Sequence, residues 1–322
     1  MLLAGDVGAT KILLEVGDIR SGEWVPALAR RYESAEVTFV QALERFLGEC
    51  GELPKKPRIT SAAFGAAGPK SGNRIRMTNR PWSVDGDVVV NRFGIPKALV
   101  VNDLAASARG LELLPERELK TIQPGRAVDG APRVVMGVGT GLGVAYLVAC
   151  GKGYQAVPGE GGHATFAPVT PRQMDLVHAI RGAKGRVSIE DILSGTGLTR
   201  VYEFVMAHND TAIPSPDACR PDRISREGLD GSDPMASAAL DLFVECIGSV
   251  AGDHALNVVA QGGVFLTGGI VAKILPRLKS EHFSAAFCAK GVHSALLKKI
   301  PVKAVMFERL PVLGAAAFAS DL

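Results

Sequence analysis

A chain of 322 residues, 47% of them hydrophobic, is long for one core and fits two domains. Its formal net charge of +3 is too mild to imply a nucleic-acid surface, and no Lys/Arg cluster or aromatic-basic stripe supports one. Five cysteines, scattered and without a Cys-x-x-Cys pair, point to reduced thiols in a cytoplasmic compartment and away from a disulfide frame or a structural zinc site.

The first residues, Leu2 to Val16, read as two aliphatic strands joined by a glycine-bearing corner, Gly5-Asp6-Val7-Gly8-Ala9-Thr10-Lys11. Asp6 interrupts the N-terminal apolar run before a signal-peptide core can form, so no signal peptide is expected. A helix is predicted over 35–49, with Val37, Val40, Leu43, Phe46 and Leu47 on one face, then a strand over 59–64. A turn-rich stretch, Gly68 to Asn73, leads to a strand ending at Met77. The strand Ala98-Leu99-Val100-Val101 runs into Asn102-Asp103 and an alanine-rich helix to about 113. The polar, proline-bearing segment 115–133 is predicted to link the domains. A second hairpin follows over 135–148, with Gly139-Thr140-Gly141 at its corner. Later come a loop over 209–221 containing Pro214, Pro216 and Pro221, a long helix over about 234–260, and a strand over 264–267 bracketed by glycine pairs. Alternating β and α segments indicate an α/β fold with mixed sheets. The uncharged stretches 134–151 and 255–272 approach membrane-spanning length, but their glycines and strand-like patterns argue against a span.

The repeated hairpin is the most informative feature. Glycines at such corners let backbone amides approach a ligand, and consecutive turn amides suit an anion. One such turn in each half suggests a nucleotide held in a cleft between two related domains. There is no Gly-x-x-x-x-Gly-Lys-Ser/Thr loop. Asp6 at the first corner makes sense beside phosphates chiefly if Mg2+ lies between them. By contrast, a buried strand pair with close-packed backbones would account for the second hairpin alone equally well. Asn102-Asp103 ends a strand, where open α/β sheets bind ligands, and either residue is also a good helix N-cap. Glu160 and His163, separated by two glycines, are unsuited to a core, and Ser188-Ile189-Glu190-Asp191 resembles a capping box. A turn with incidental polar residues would explain the former, and a first-turn acid the latter. Together Asn102, Asp103, Glu160, His163 and Glu190 form an acceptor-rich set suited to a polyhydroxylated, uncharged ligand.

Several of these segments resemble the motifs of the bacterial glucokinase family. They are Gly5-Asp6-Val7-Gly8-Ala9-Thr10, Met77-Thr78-Asn79 with Trp82, Asn102-Asp103, Gly139-Thr140-Gly141-Leu142-Gly143, Gly159-Glu160-Gly161-Gly162-His163, Leu193 to Leu198, and Gly262 to Ile270. The resemblance covers nearly the whole chain in order. It implies two duplicated α/β domains of actin/hexokinase (ribonuclease H-like) type around an ATP cleft. The expected small domain is 1–113 plus about 300–322, and the large one 114–299. The implied reaction is ATP-dependent phosphorylation of glucose at its 6-hydroxyl, with the domains closing to exclude water. In it Asp103 is the catalytic base, since an aspartate with an ordinary pKa of about 4 is ionised at neutral pH. Asn102, Glu160, His163 and Glu190 join Asp103 in holding the sugar. Gly5, Asp6, Val7, Gly8, Ala9, Thr10, Gly139, Thr140, Gly141, Gly268 and Gly269 serve ATP, and Asp6 serves Mg2+. A soluble cytoplasmic homodimer is implied, with no nucleic-acid or membrane partner.

The pattern departs from the family at Gly8-Ala9-Thr10-Lys11, where Gly-Gly-Thr-Asn is usual. Lysine at that site also occurs in the related repressor/open-reading-frame/kinase group, whose cysteine-rich zinc motif is absent here. Two alternatives stand beside this reading: a kinase for another hexose, such as mannose or an N-acetyl hexosamine, and a non-kinase actin-like ATP-binding module. A sugar-responsive repressor is disfavoured, because the chain opens directly on the first hairpin strand.

Overall fold

β1 (Leu2–Val7) and β2 (Lys11–Arg20) pair antiparallel from Leu2↔Gly17 to Val7↔Ile12, as the alternating aliphatic residues require. The computed structural model describes every residue except 152, 183–184, 210, 212–214 and 218. Its described residues divide into two units, Met1–Glu118 with Tyr154–Pro158 and Phe307–Leu322, and Leu119–Gly153 with Gly159–Met306.

In the first unit β2 is extended by β3 (Glu23–Glu33), while β1 pairs in parallel with β4 (Ser61–Ala66) and β4 in parallel with β8 (Ala98–Asn102), giving the order β3-β2-β1-β4-β8. Period-2 alternation sends Leu3 and Val7 into one core with Phe39, Leu43 and Phe46 of α1 (Phe39–Gly51). Ala4 faces the opposite way, into a core with Ala63 and with Val312, Ala315, Ala316 and Ala319 of the C-terminal helix Leu310–Ser320. Small residues on that face let a helix lie close to the strands. α1 begins four residues later than its apolar pattern predicts, because Thr38 and Gln41 form a reciprocal capping box. α2 (Asp103–Gly110) follows β8 directly and stops short of the expected residue 113. Between β4 and β8 lies a small sheet of β5 (Lys70–Ser71), β6 (Arg74–Arg76) and β7 (Ser83–Asp85).

The second unit repeats the plan. Its strands run in the order β11-β10-β13-β14-β9, in which β10 (Arg133–Val138) and β11 (Leu142–Cys150) form the echo hairpin, from Arg133↔Leu147 to Val138↔Leu142. β13 (Val264–Thr267) and β14 (Val302–Val305) run parallel beside β10, as β4 and β8 do beside β1. β12 is Gly153–Gly159. The predicted interdomain link differs from the structure: β9 (Leu119–Gln123) lies within it and pairs antiparallel with β14. Gln123 is buried and donates from Nε2 to the carbonyls of Leu297 and Ile300, both at 2.9 Å, which anchors a strand too polar to stand out by pattern.

The helices of this unit include α3 (Ile189–Ile192), α4 (Gly195–His208), α5 (Pro221–Asp230), α6 (Pro234–Asn257) and α7 (Gly269–Lys273). Pro221 therefore opens a helix at its first position rather than closing a loop, and Pro214 of that expected loop lies outside the described residues. α6 is long and apolar enough to cross a membrane, but 72% of its most apolar window is buried inside the protein, which marks it as a core helix.

Candidate active site

In the first unit the sheet register determines what meets what. Asp6 pairs with Gly65 of β4, and the next residue of β4, Ala66, pairs with Asn102 of β8. The β1 turn and the N-terminus of α2 therefore lie at the same edge of the sheet. Asn102 is the N-cap of α2: its Oδ1 accepts from the amides of Leu104 at 2.9 Å and Ala105 at 3.1 Å. Asp103 is the first helical residue, half-buried, with Oδ1 accepting from Leu104 N at 2.9 Å. The two readings of this dipeptide thus separate, with capping assigned to Asn102. Because its oxygen is committed, Asn102 presents an amide donor to a ligand rather than an acceptor.

The corner of the first hairpin is organised by its carbonyls. Gly8 O accepts from Ser34 Oγ at 2.8 Å, Ala9 O from Arg80 Nε at 2.8 Å, Thr10 O from Ser34 N at 2.9 Å, and Lys11 O from Gly8 N at 2.9 Å. Among the described residues, the amides of Ala9 and Thr10 donate to no protein group. A turn that engages its oxygens and leaves consecutive N–H groups available is built for an anion. Asp6 stands beside it. Burial of its carboxyl, reinforced by the negative charge of Asp103 and opposed by Lys11, pushes its pKa up to about 7.

The second unit carries a similar turn. Gly139 N donates to Gly141 O and Gly195 N to Gly139 O, both at 2.9 Å, while the amides of Thr140 and Gly141 meet no protein acceptor among the described residues. Glu190, in the first turn of α3, accepts from Leu142 N at 2.8 Å and so grips the start of β11. The capping box is present as expected, with Ser188 and Asp191 bonding reciprocally. Gly268, at the β13 to α7 junction, has φ +106°, and a side chain there would strike the Val138 carbonyl, so Gly268 lies against the echo hairpin, while Gly269 follows it as the first residue of α7.

Glu160 and His163 flank a 3-10 turn, Gly161–His163, and both side chains are well exposed, with Oε2 and Nε2 3.9 Å apart. A Cβ on Gly162 would collide with the Leu142 carbonyl, and one on Gly161 would come within 2.9 Å of both His254 Cε1 and Val144 Cγ2. The turn therefore lies directly on β11. His254 is buried, hydrogen-bonded through Nδ1 to Tyr146 at 2.8 Å, and burial holds its pKa below the usual histidine value. Sequence reasoning missed Ser34, Arg80 and His254. Only Arg80 carried a signal, its place directly after Met77-Thr78-Asn79. Among the described residues no group of three or more His, Cys, Asp or Glu side chains could hold a metal alone. Asp6 still suits Mg2+, which needs only one or two carboxylates when phosphates and water complete its shell.

The family model described as Glucokinase matches residues 3–322. A glucokinase of Mesorhizobium japonicum is 42% identical over 264 residues, 82% of this chain and 76% of that protein. A glucokinase of Nostoc sp. is 33% identical over 100% of this chain and 99% of its own length. Among solved structures, a glucokinase from an Antarctic psychrotroph superposes with a TM-score of 0.88 at 29% identity, covering 100% and 99% of the two chains. The fold is shared with a ROK family glucokinase from Streptomyces griseus, solved with glucose and AMPPNP, at a TM-score of 0.65, 20% identity and coverage of 100% and 99%. With the duplicated sheets, the two glycine turns and a match over almost its whole length, the chain belongs to the glucokinase family.

Proposed function

We infer that this chain transfers the γ-phosphoryl group of ATP to the 6-hydroxyl of glucose, giving glucose 6-phosphate and ADP. The observation that carries the reading is the match of the glucokinase family model to residues 3–322. Asp103 is assigned as the base: it accepts the hydroxyl proton while the sugar oxygen forms a bond to the γ-phosphorus and the bond to the ADP oxygen breaks. Asn102, Glu160, His163 and Glu190 are assigned to sugar hydroxyls. Asn102 serves as a donor because its oxygen caps α2. Glu190 holds Leu142 N with one of its two carboxylate oxygens.

The unpaired amides of Ala9 and Thr10, and those of Thr140 and Gly141, are assigned to phosphate oxygens, with Gly268 and Gly269 lining the nucleotide. Asp6, with Asp103 near enough to raise its pKa, is the residue assigned to Mg2+. When bound, that ion neutralises negative charge on the phosphates. Five free cysteines accord with a reducing cytoplasm, and a homodimer is the family-based expectation for the assembly.

The test is a coupled assay of ADP formation with glucose, mannose, fructose and N-acetylglucosamine. Glucose-dependent turnover is expected, with glucose giving the highest kcat/KM. A higher value for another sugar would reassign the substrate, and turnover independent of any sugar would replace the kinase reading with that of an ATP-binding module.

A further inference from the structure

Arg80 sits in the connection between β6 and β7, half-buried, and its Nε donates to the Ala9 carbonyl at 2.8 Å. Some arginines of the same unit pair with carboxylates, as Arg92 does with Glu44, Arg109 with Asp321 and Arg309 with Glu15, while Arg45, Arg58 and Arg76 are exposed. Arg80 differs: among the described residues its Nη1 and Nη2 meet neither a carboxylate nor any other acceptor. A guanidinium has five N–H donors in a rigid plane, and here only one is used.

The one bond it makes fixes the orientation of the rest. Held through Nε on the Ala9 carbonyl, the guanidinium is kept at the same corner of the chain whose Ala9 and Thr10 amides donate to no protein group among the described residues. It also offsets the Ala9 carbonyl, whose negative end would otherwise repel an incoming anion. Two backbone amides and four guanidinium N–H groups make this corner rich in donors. The chemistry that fits is a polyanion with several oxygens, and a bidentate guanidinium contact is strongest with a phosphoryl group.

We propose that Arg80 binds the β- and γ-phosphoryl oxygens of the nucleotide and stabilises the charge that develops during transfer. This assignment rests on the phosphotransfer reading above and adds a residue to it. Arg80 is then a phosphate ligand, with Nε supplying the positioning and Nη1 and Nη2 the contact.

The experiment is steady-state kinetics of wild type, Arg80→Ala and Arg80→Lys with MgATP and glucose varied separately, alongside thermal melts. Arg80→Ala is expected to lower kcat/KM for MgATP by about 100-fold or more, as loss of a charge-stabilising arginine does, while KM for glucose stays within about twofold. Arg80→Lys retains a cation and one donor but not the fork, so it should fold as wild type and lose about tenfold. Guanidinium chloride at millimolar concentration should partly restore the Ala variant. Unchanged MgATP kinetics in both variants would overturn the proposal. So would a loss that follows a lower melting temperature and weakens both substrates equally, since Arg80 would then only pin its loop. A wild type that forms no ADP with any sugar would remove the kinase reading, an outcome distinct from an active wild type with a silent Arg80 variant.

Discussion

Asn102 and Asp103 are neighbours with different work. Asn102 satisfies two amides at the start of α2, whereas Asp103, one position on, accepts from Leu104 N on its Oδ1. Asp103→Asn preserves size and an oxygen for that amide but cannot take a proton. It should lower kcat by about 10²–10⁴-fold with the melting temperature nearly unchanged. Asn102→Ala removes the cap and should cost about 1 kcal/mol of stability. It should also raise KM for glucose, because the amide donor is lost. Kinetics and melts on the two variants check both statements, and a near-normal kcat in Asp103→Asn would exclude this residue as the base. The sequence made both roles visible for the pair but did not divide them, because Asn and Asp are comparable N-caps and only the backbone conformation selects one.

At the scale of elements, the Gly159 to His163 turn shows how packing presents exposed side chains. Glu160 and His163 reach outward because Gly161 and Gly162 lie flat against β11. The start of β11 is in turn held by Glu190 through Leu142 N, so the strand has little freedom to retreat. Gly162→Ala should therefore displace the turn, costing about 1–3 kcal/mol and raising KM for glucose. His163→Ala leaves the backbone intact and should raise KM for glucose much more than that for ATP, without the stability loss. An equal rise in both constants for His163→Ala would remove it from the sugar site. The turn's position in the chain was legible from its glycines, but the reason for them was not. Which carbonyl each glycine must clear depends on contacts between segments distant in sequence. The same limit hid β9, whose Gln123 is explained by the Leu297 and Ile300 carbonyls and by nothing near it in sequence. It also hid the carbonyl pattern of the first turn, which depends on Ser34 and Arg80.

At the scale of the molecule, the duplication was legible because both copies open with a glycine-cornered hairpin followed by two parallel strands. The copies differ in charge, and that difference has a global consequence. The first turn carries Asp6, whose burial keeps its proton in the fold up to about pH 7, against about 4 for an ordinary aspartate. Between these values the folded chain holds a proton that the unfolded chain has released. This group therefore makes stability fall as pH rises from about 4 to 7, with no further change above. His254 acts in the opposite sense, since its folded pKa is lowered and its contribution is lost as pH drops below about 6.5. The Asp6→Asn variant keeps His254, so the difference between wild type and variant isolates Asp6. Without nucleotide or Mg2+, the variant should gain relative stability across pH 4 to 7, reaching about 2–4 kcal/mol at neutral pH as the shift converts at 1.36 kcal/mol per unit. Denaturant titrations at pH 4.5, 6 and 7.5 measure it. A stability difference that does not change with pH would show that Asp6 ionises in the folded chain as readily as in the unfolded one.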